Sequence, residues 1–173
     1  MIKKYTSHGD GKFINKDFEK IGKDVIFEKG VLVFHPENIT IGNNVYIGHY
    51  SIIKGYFKNK LIIGNNVWIG QNVFIHSAGG IKIGNNVGIG PNVQIISSQH
   101  DLKNIQSTII SSPLLFEPVV IENNCDIGTS AIILPGITLK TGTIIGAGAI
   151  VTKSTIKNGI YVGNPAKLLR TYK

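Results

Sequence analysis

The chain has 173 residues, a formal net charge of +8 and one cysteine, Cys125. Hydrophobic residues make up 42% and charged residues 16%, which excludes a disordered polar chain, and the single cysteine excludes a disulfide scaffold. With 31 Ile, 12 Val and 21 Gly against 9 Leu and 5 Ala, β-branched and turn-forming residues dominate, which excludes a helical bundle and predicts an all-β fold.

The positive charge is carried by 17 Lys and one Arg, Arg170. The lysines are scattered rather than clustered with aromatics, so no nucleic-acid partner is expected, and general solubility with weak attraction of anions reads equally with a specific anionic lipid or small acidic ligand. In chain order, residues 1–20 read as a cap, and residues 1–13 hold no apolar run of signal-peptide length. No stretch approaches the ~18 apolar residues of a membrane span. The expectation is a cytoplasmic protein without a transmembrane segment, folded as a single domain over 1–173.

From residue 21 the chain is a repeat. Ile41-Gly42-Asn43-Asn44-Val45 recurs at 63–67 and 83–87, and in altered form at 121–125. Between these copies the period is six: an apolar residue stands at 21, 27, 33, 41, 47, 53, 63, 69, 75, 83, 89 and 95, then at 121, 127, 133, 139, 145 and 151. Small or apolar residues such as Val45, Val67, Val93, Ala131 and Ala149 follow four positions later. Six residues fit a short strand and a corner, with Gly or Asn-Asn supplying the corner. One such unit cannot bury its own face, so the units must stack.

The interruptions set the geometry. The register gains two residues between 33 and 41, four between 53 and 63, two between 75 and 83, and twenty between 95 and 121. Each follows the third unit of a triplet. Three units therefore make one triangular coil of 18 residues, and every insertion leaves from the same edge. About six coils result over 21–153, a parallel β-solenoid roughly 25–30 Å tall at about 4.8 Å per strand. Residues 97–118 form a loop insertion. Residues 154–173 form a second cap, a short tail or a short helix around 166–171.

The register [Ile/Val/Leu]-Gly-x-x-[Val/Ala]-x resembles that of the hexapeptide-repeat acyltransferases. Residues 83–170 are similar to the maltose and galactoside O-acetyltransferases and to sugar O-acetyltransferases of polysaccharide pathways. The motifs that carry this are Ile-Leu-Pro-Gly (133–136), Gly-Ala-Gly-Ala-Ile-Val-Thr-Lys (146–153) and Gly-Asn-Pro-Ala-Lys (163–167). The resemblance implies a left-handed coil, against the usual right-handed crossover. It also implies a homotrimer with active sites between neighbouring subunits, and acetyl-CoA as donor.

The long loop opens with Ser97-Ser98-Gln99-His100-Asp101. By residue type alone, His100 reads equally as a general base and as a solvated loop histidine. The resemblance assigns it the base that takes the proton of the acceptor hydroxyl. Direct attack needs no covalent intermediate, and Cys125 stands where Val usually sits, so it is expected in the core. For the donor, the resemblance implies Thr129, Ala147, Thr152, Lys153, Lys167 and Arg170. The cations suit phosphates, and the small Ala147 suits an extended pantetheine. A tight-packing role for Ala147 and a solvated tail for Lys167 and Arg170 are the plain alternatives.

For the acceptor, position alone nominates His76, Gln99, Asp101 and the segment 102–112. Asp101 reads equally as a plain loop residue. Members acting on galactosides carry an acceptor-binding Asn where this chain has Gly70, and their N-terminal helical extension is missing, so a simple galactoside is not the expected acceptor. His8, His35 and His49 make no zinc-ligand pattern with the others, and no metal is expected. The resemblance therefore implies an O-acetyltransferase acting on a sugar or glycan intermediate. An N-acetyltransferase acting on an aminosugar or its nucleotide, and a non-catalytic β-helix scaffold, are the alternatives.

Overall fold

The structure, a computed structural model, describes residues 5–56, 58–103 and 108–173. It is a triangular prism of short parallel strands. The first coil consists of β1 (Lys20–Ile21), β2 (Val25–Phe27) and β3 (Leu32–Phe34). The second has β4 (Ile39–Ile41), β5 (Val45–Ile47) and β6 (Ile52–Lys54). The third has β7 (Leu61–Ile63), β8 (Val67–Ile69) and β9 (Phe74–His76), and the fourth β10 (Ile81–Ile83), β11 (Val87–Ile89) and β12 (Gln94–Ile96). An excursion, β13 (Ser98–His100) and β14 (Leu114–Phe116), separates these from the fifth coil, β15 (Val119–Ile121), β16 (Asp126–Ile127) and β17 (Ile132–Ile133). The sixth is β18 (Thr138–Leu139), β19 (Ile144–Ile145) and β20 (Ile150–Val151). A seventh turn begins with β21 (Gly159–Val162), and β22 (Lys167–Thr171) closes the stack.

Each wall is one sheet. Strands β1, β4, β7, β10, β15 and β18 form the first; β2, β5, β8, β11, β16, β19, β21 and β22 the second; β3, β6, β9, β12, β17 and β20 the third. The six-residue register is the buried column of the core. Ile47, Ile69, Ile89 and Ile127 are fully buried on the second wall, and Ile53, Ile75, Ile95 and Ile133 on the third. Only the first coil, with Ile21, Val25 and Phe27 half-buried, is open. There Phe13 and Phe18 cover it, their rings 4.8 and 5.6 Å from Phe27.

The Asn-Asn corners have a physical cause. The second Asn takes a left-handed backbone at Asn44, Asn66, Asn86 and Asn124, with φ between 55° and 59°. The first accepts, through Oδ1, the backbone N–H of the coil below: Asn43 from Lys23, Asn65 from Asn43, Asn85 from Asn65 and Asn123 from Asn85, at 2.7–2.8 Å. Each bond replaces water at a corner where the sheet ladder stops, worth about 1 kcal/mol.

The six expected coils are present as complete turns, and a seventh begins beyond them. One expectation changes: in place of the tail or short helix around 166–171 is strand β22, antiparallel to β21, with Lys167 opposite Val162 and Arg170 opposite Ile160. The open edge of β21 offers unpaired backbone groups, and pairing satisfies them where an isolated one-turn helix would not.

Cys125 is buried, as its repeat position requires, and burial pushes its thiol up to about 11. At neutral pH it is therefore a thiol, not a nucleophile. A thiol reagent should label it only after denaturation, and Cys125→Val, which restores the residue of the other coils, should change stability by less than about 1.5 kcal/mol.

Glu122 ties the fifth coil to the sixth. Its carboxylate accepts from Lys140 Nζ, Thr141 N and Thr141 Oγ1, each at 2.9 Å, and these bonds hold it down to about 2. Because the folded value lies below the unfolded one, this stabilisation is present above about pH 4.5 and is lost as pH falls toward 2. Glu122→Gln should cost about 1 kcal/mol at neutral pH, a modest figure because the pair is half-exposed. It should also flatten the stability curve between pH 4.5 and 2, read by urea titration.

Candidate active site

The long insertion is built on the third corner, where the third wall turns into the first. At its base, Ser97 is fully buried: its Oγ donates to His76 O at 2.8 Å and accepts from Gly79 N at 2.9 Å. Glu117 N returns to Ser97 O at 3.0 Å, closing the excursion. The corner of the coil below runs directly beneath: a Cβ on Gly79 would lie 2.2 Å from Ser97 O and 2.6 Å from Glu117 N. Only glycine fits there, and this crossing fixes where the insertion leaves the prism.

Above the base the chain forms a short antiparallel pair, with Ser98 opposite Phe116, Gln99 opposite Leu115 and His100 opposite Leu114. His100 thus stands at the end of a strand, half-buried, not on a free loop. Its Nδ1 is 3.2 Å from Ser112 O. A carbonyl oxygen can only accept, so Nδ1 carries the proton in the neutral ring and Nε2 keeps its lone pair. Gln99 Nε2 donates to Glu117 Oε2 at 2.9 Å across the base. Asp101 is buried; its N–H bonds Pro113 O at 2.8 Å and its Oδ1 accepts from Lys103 N at 2.9 Å, which turns the chain after His100. Residues 104–107 of the segment nominated for the acceptor lie outside the described residues.

His76, one coil lower on the third wall, is joined to this hairpin through aromatic contacts. Its ring meets Tyr56 edge-on at 5.8 Å, and Tyr56 packs on Phe116 at 6.0 Å. Burial, then the charges of Lys54 and His8, lower its pKa and favour the neutral ring. Ser97, Tyr56, Phe116 and Glu117 were not identified from sequence, and Ser112, the last residue of the nominated segment 102–112, was not identified as the partner of His100. None lies in the six-residue register, and only proximity to the register break could have flagged Ser97 and Glu117.

The residues nominated for the donor fall on two edges. Thr129 and Ala147 are exposed on the second corner, stacked one coil apart, with Gly148 N bonded to Thr129 O at 2.8 Å. Gly70 lies lower on this same corner, packed so that a Cβ would meet Pro91 N at 2.7 Å. Lys167 begins β22 beside Val162, near that corner, and Arg170 lies further along the strand. Thr152 and Lys153 are exposed on the third corner, two coils beyond the strand that feeds His100, about 10 Å along the axis. From Ala147 to Thr152 the chain crosses the whole third wall, at most about 17 Å. Among the described residues, no three or more His, Cys, Asp or Glu side chains converge on a point.

A stacked-coil prism with a long insertion on one edge defines a class, the β-helix acyltransferases. The hexapeptide repeat of succinyl-transferase matches residues 60–96 and 118–153. WcaF of Escherichia coli K12, assigned as a colanic acid biosynthesis acetyltransferase, is 32% identical over 151 residues, covering 87% of this chain and 68% of its own. The chain belongs to the hexapeptide-repeat acyltransferase family. Its fold is the left-handed parallel β-helix of that family. AntD, an N-acyltransferase from Bacillus cereus solved with dTDP and 3-hydroxybutyryl-CoA, superposes with a TM-score of 0.82 at 25% identity, covering 91% of this chain and 85% of that one. A maltose O-acetyltransferase from Clostridium difficile gives 0.61 at 28% identity, covering 91% and 72%.

Proposed function

We propose that the protein is an acetyl-CoA-dependent O-acetyltransferase acting on a hydroxyl of a sugar or glycan intermediate, with His100 as general base. The observation that carries it is the Ser112 carbonyl on His100 Nδ1. In the neutral ring it leaves the lone pair on Nε2, the tautomer required of a base that works from that nitrogen. The acceptor oxygen attacks the thioester carbonyl while Nε2 takes its proton. The tetrahedral intermediate then collapses, the C–S bond breaks, and the imidazolium returns the proton to the departing thiolate. Tyr56, His76 and Phe116 form the wall on which an acceptor ring would rest. Neutral His76 offers a hydrogen bond there without a charge.

Thr129, Ala147 and Lys167 on one corner, and Thr152 and Lys153 on the other, bind the donor in this reading; Arg170, further along β22, reaches for its phosphates. One extended donor meets both corners most simply when they come from adjacent subunits of a homotrimer. Outward side chains of the third wall support that assembly: Leu32, Ile52, Phe74, Ile132 and Ile150 are in register, broken only by Gln94. Sedimentation equilibrium should then return three times 18.8 kDa. The compartment this reading requires is the cytoplasm, where acetyl-CoA is made.

The likeness to AntD favours a second reading, N-acylation of an aminosugar nucleotide, because the same base and donor serve an amine. A panel of sugars, nucleotide sugars and aminosugars, followed by thiol release from acetyl-CoA, separates the two. Hydroxylamine cleaves an ester product and spares an amide. No thiol release with any acceptor, and no binding of CoA, would leave the scaffold reading in place.

A further inference from the structure

Charge is divided unevenly along the prism. All ten acidic residues lie at or before Asp126, and residues 127–173 hold six cations and no acid. One of the six, Lys140, is spent on Glu122 at 2.9 Å. The other five, Lys153, Lys157, Lys167, Arg170 and Lys173, are exposed around the seventh-coil end. The opposite end differs: residues 10–24 carry four lysines matched by Asp10, Asp17, Glu19 and Asp24, with Lys12 paired to Asp10 at 3.1 Å.

The basic end is also apolar. Leu169, at the irregularity in β22, is 62% exposed, Ile156 51% and Leu168 45%. The Leu168 side chain and the Ile156 backbone meet at Gly159, where a Cβ would lie 3.1 Å from Leu168 Cδ1 and 3.2 Å from Ile156 O, and Leu169 follows Leu168 in β22. Ile156 is held there by its own backbone, whose N–H bonds Tyr161 Oη at 3.0 Å. Three exposed branched side chains ringed by cations and free of acid match a surface that is anionic outside and hydrocarbon within. Cations draw such an end toward negative headgroups over about a Debye length, and apolar side chains then enter the headgroup–acyl boundary.

We propose that the seventh-coil end docks on an anionic lipid bilayer, with Leu168, Leu169 and Ile156 inserted and the five cations against the headgroups. This docking does not require the acetyl-transfer reading, but it shares cations with it. Lys153, Lys167 and Arg170 are shared with the donor site, whereas Ile156, Leu169, Lys157 and Lys173 are not.

The test is co-sedimentation of the full chain with vesicles of 30% phosphatidylglycerol in phosphatidylcholine, and with phosphatidylcholine alone. Binding is expected only with the anionic vesicles at low salt, lost at 0.5 M NaCl and weakened but not abolished by saturating acetyl-CoA, because Lys157, Lys173 and the apolar side chains are not shared with the donor. Ile156→Ser with Leu169→Ser should weaken it at least fivefold with an unchanged circular dichroism spectrum. Lys157→Gln with Lys173→Gln should weaken it and reduce its salt dependence, while Leu114→Ser on the hairpin leaves it intact. Equal binding to both vesicles, binding abolished by acetyl-CoA, binding untouched by both double variants, or equal affinity for duplex DNA would each overturn the proposal.

Discussion

His100→Ala should lower the turnover number by a factor of about 100 to 10,000, the usual range for removing a general base, and leave the KM for acetyl-CoA within about twofold. The split matters, because His100 faces the reacting hydroxyl in this reading and the donor contacts lie elsewhere. The substitution also removes a hydrogen bond to Ser112 O, which could loosen the hairpin. His100→Asn separates the effects: its amide can still donate to that carbonyl, and it is no base. Equal losses for both variants, with unchanged circular dichroism, point to the proton transfer. Recovery of most of the rate in His100→Asn would reassign His100 to holding the hairpin. A loss below tenfold in His100→Ala would remove the base from the mechanism and leave the fold untouched.

The prism was legible because its period is carried by residues that the core demands. Isoleucine every six positions, glycine or asparagine at fixed phase, and interruptions only after every third unit together specify strand, corner, coil and edge. Residues such as Ile69 and Ile127 are read locally, since their neighbours in space repeat their neighbours in sequence. Legibility failed where the chain leaves the period. The β22 strand is decided by the unpaired edge of β21, which residues 166–171 do not announce. The hairpin of β13 and β14 joins residues up to 18 apart with no shared pattern. The contact from Tyr56 to Phe116 spans sixty residues of sequence. His100 was isolated by the break in register, but what makes it chemically apt, the Ser112 carbonyl, is backbone and leaves no mark on residue type.

Core truncation should give the largest loss of stability. Ile69 is fully buried on the second wall, stacked between Ile47 and Ile89. Ile69→Ala removes apolar atoms and leaves a cavity between rungs fixed by ladders above and below, so relaxation is limited. The expected cost is about 3–4 kcal/mol, or roughly 6–16 °C in melting temperature for a chain of this size at fixed protein concentration. Ile62→Ala lies in the same coil, on the first wall, but points outward and should change stability by less than about 0.5 kcal/mol. The contrast tests the register itself, because a slip of one residue exchanges inside for outside along a strand. Position within the stack matters too. Ile69 loses partners in two coils, whereas Phe27 in the half-open first coil stacks on one coil only, so its truncation should cost less per atom removed. Equal losses at 62 and 69 would mean that the six-residue columns are not the core.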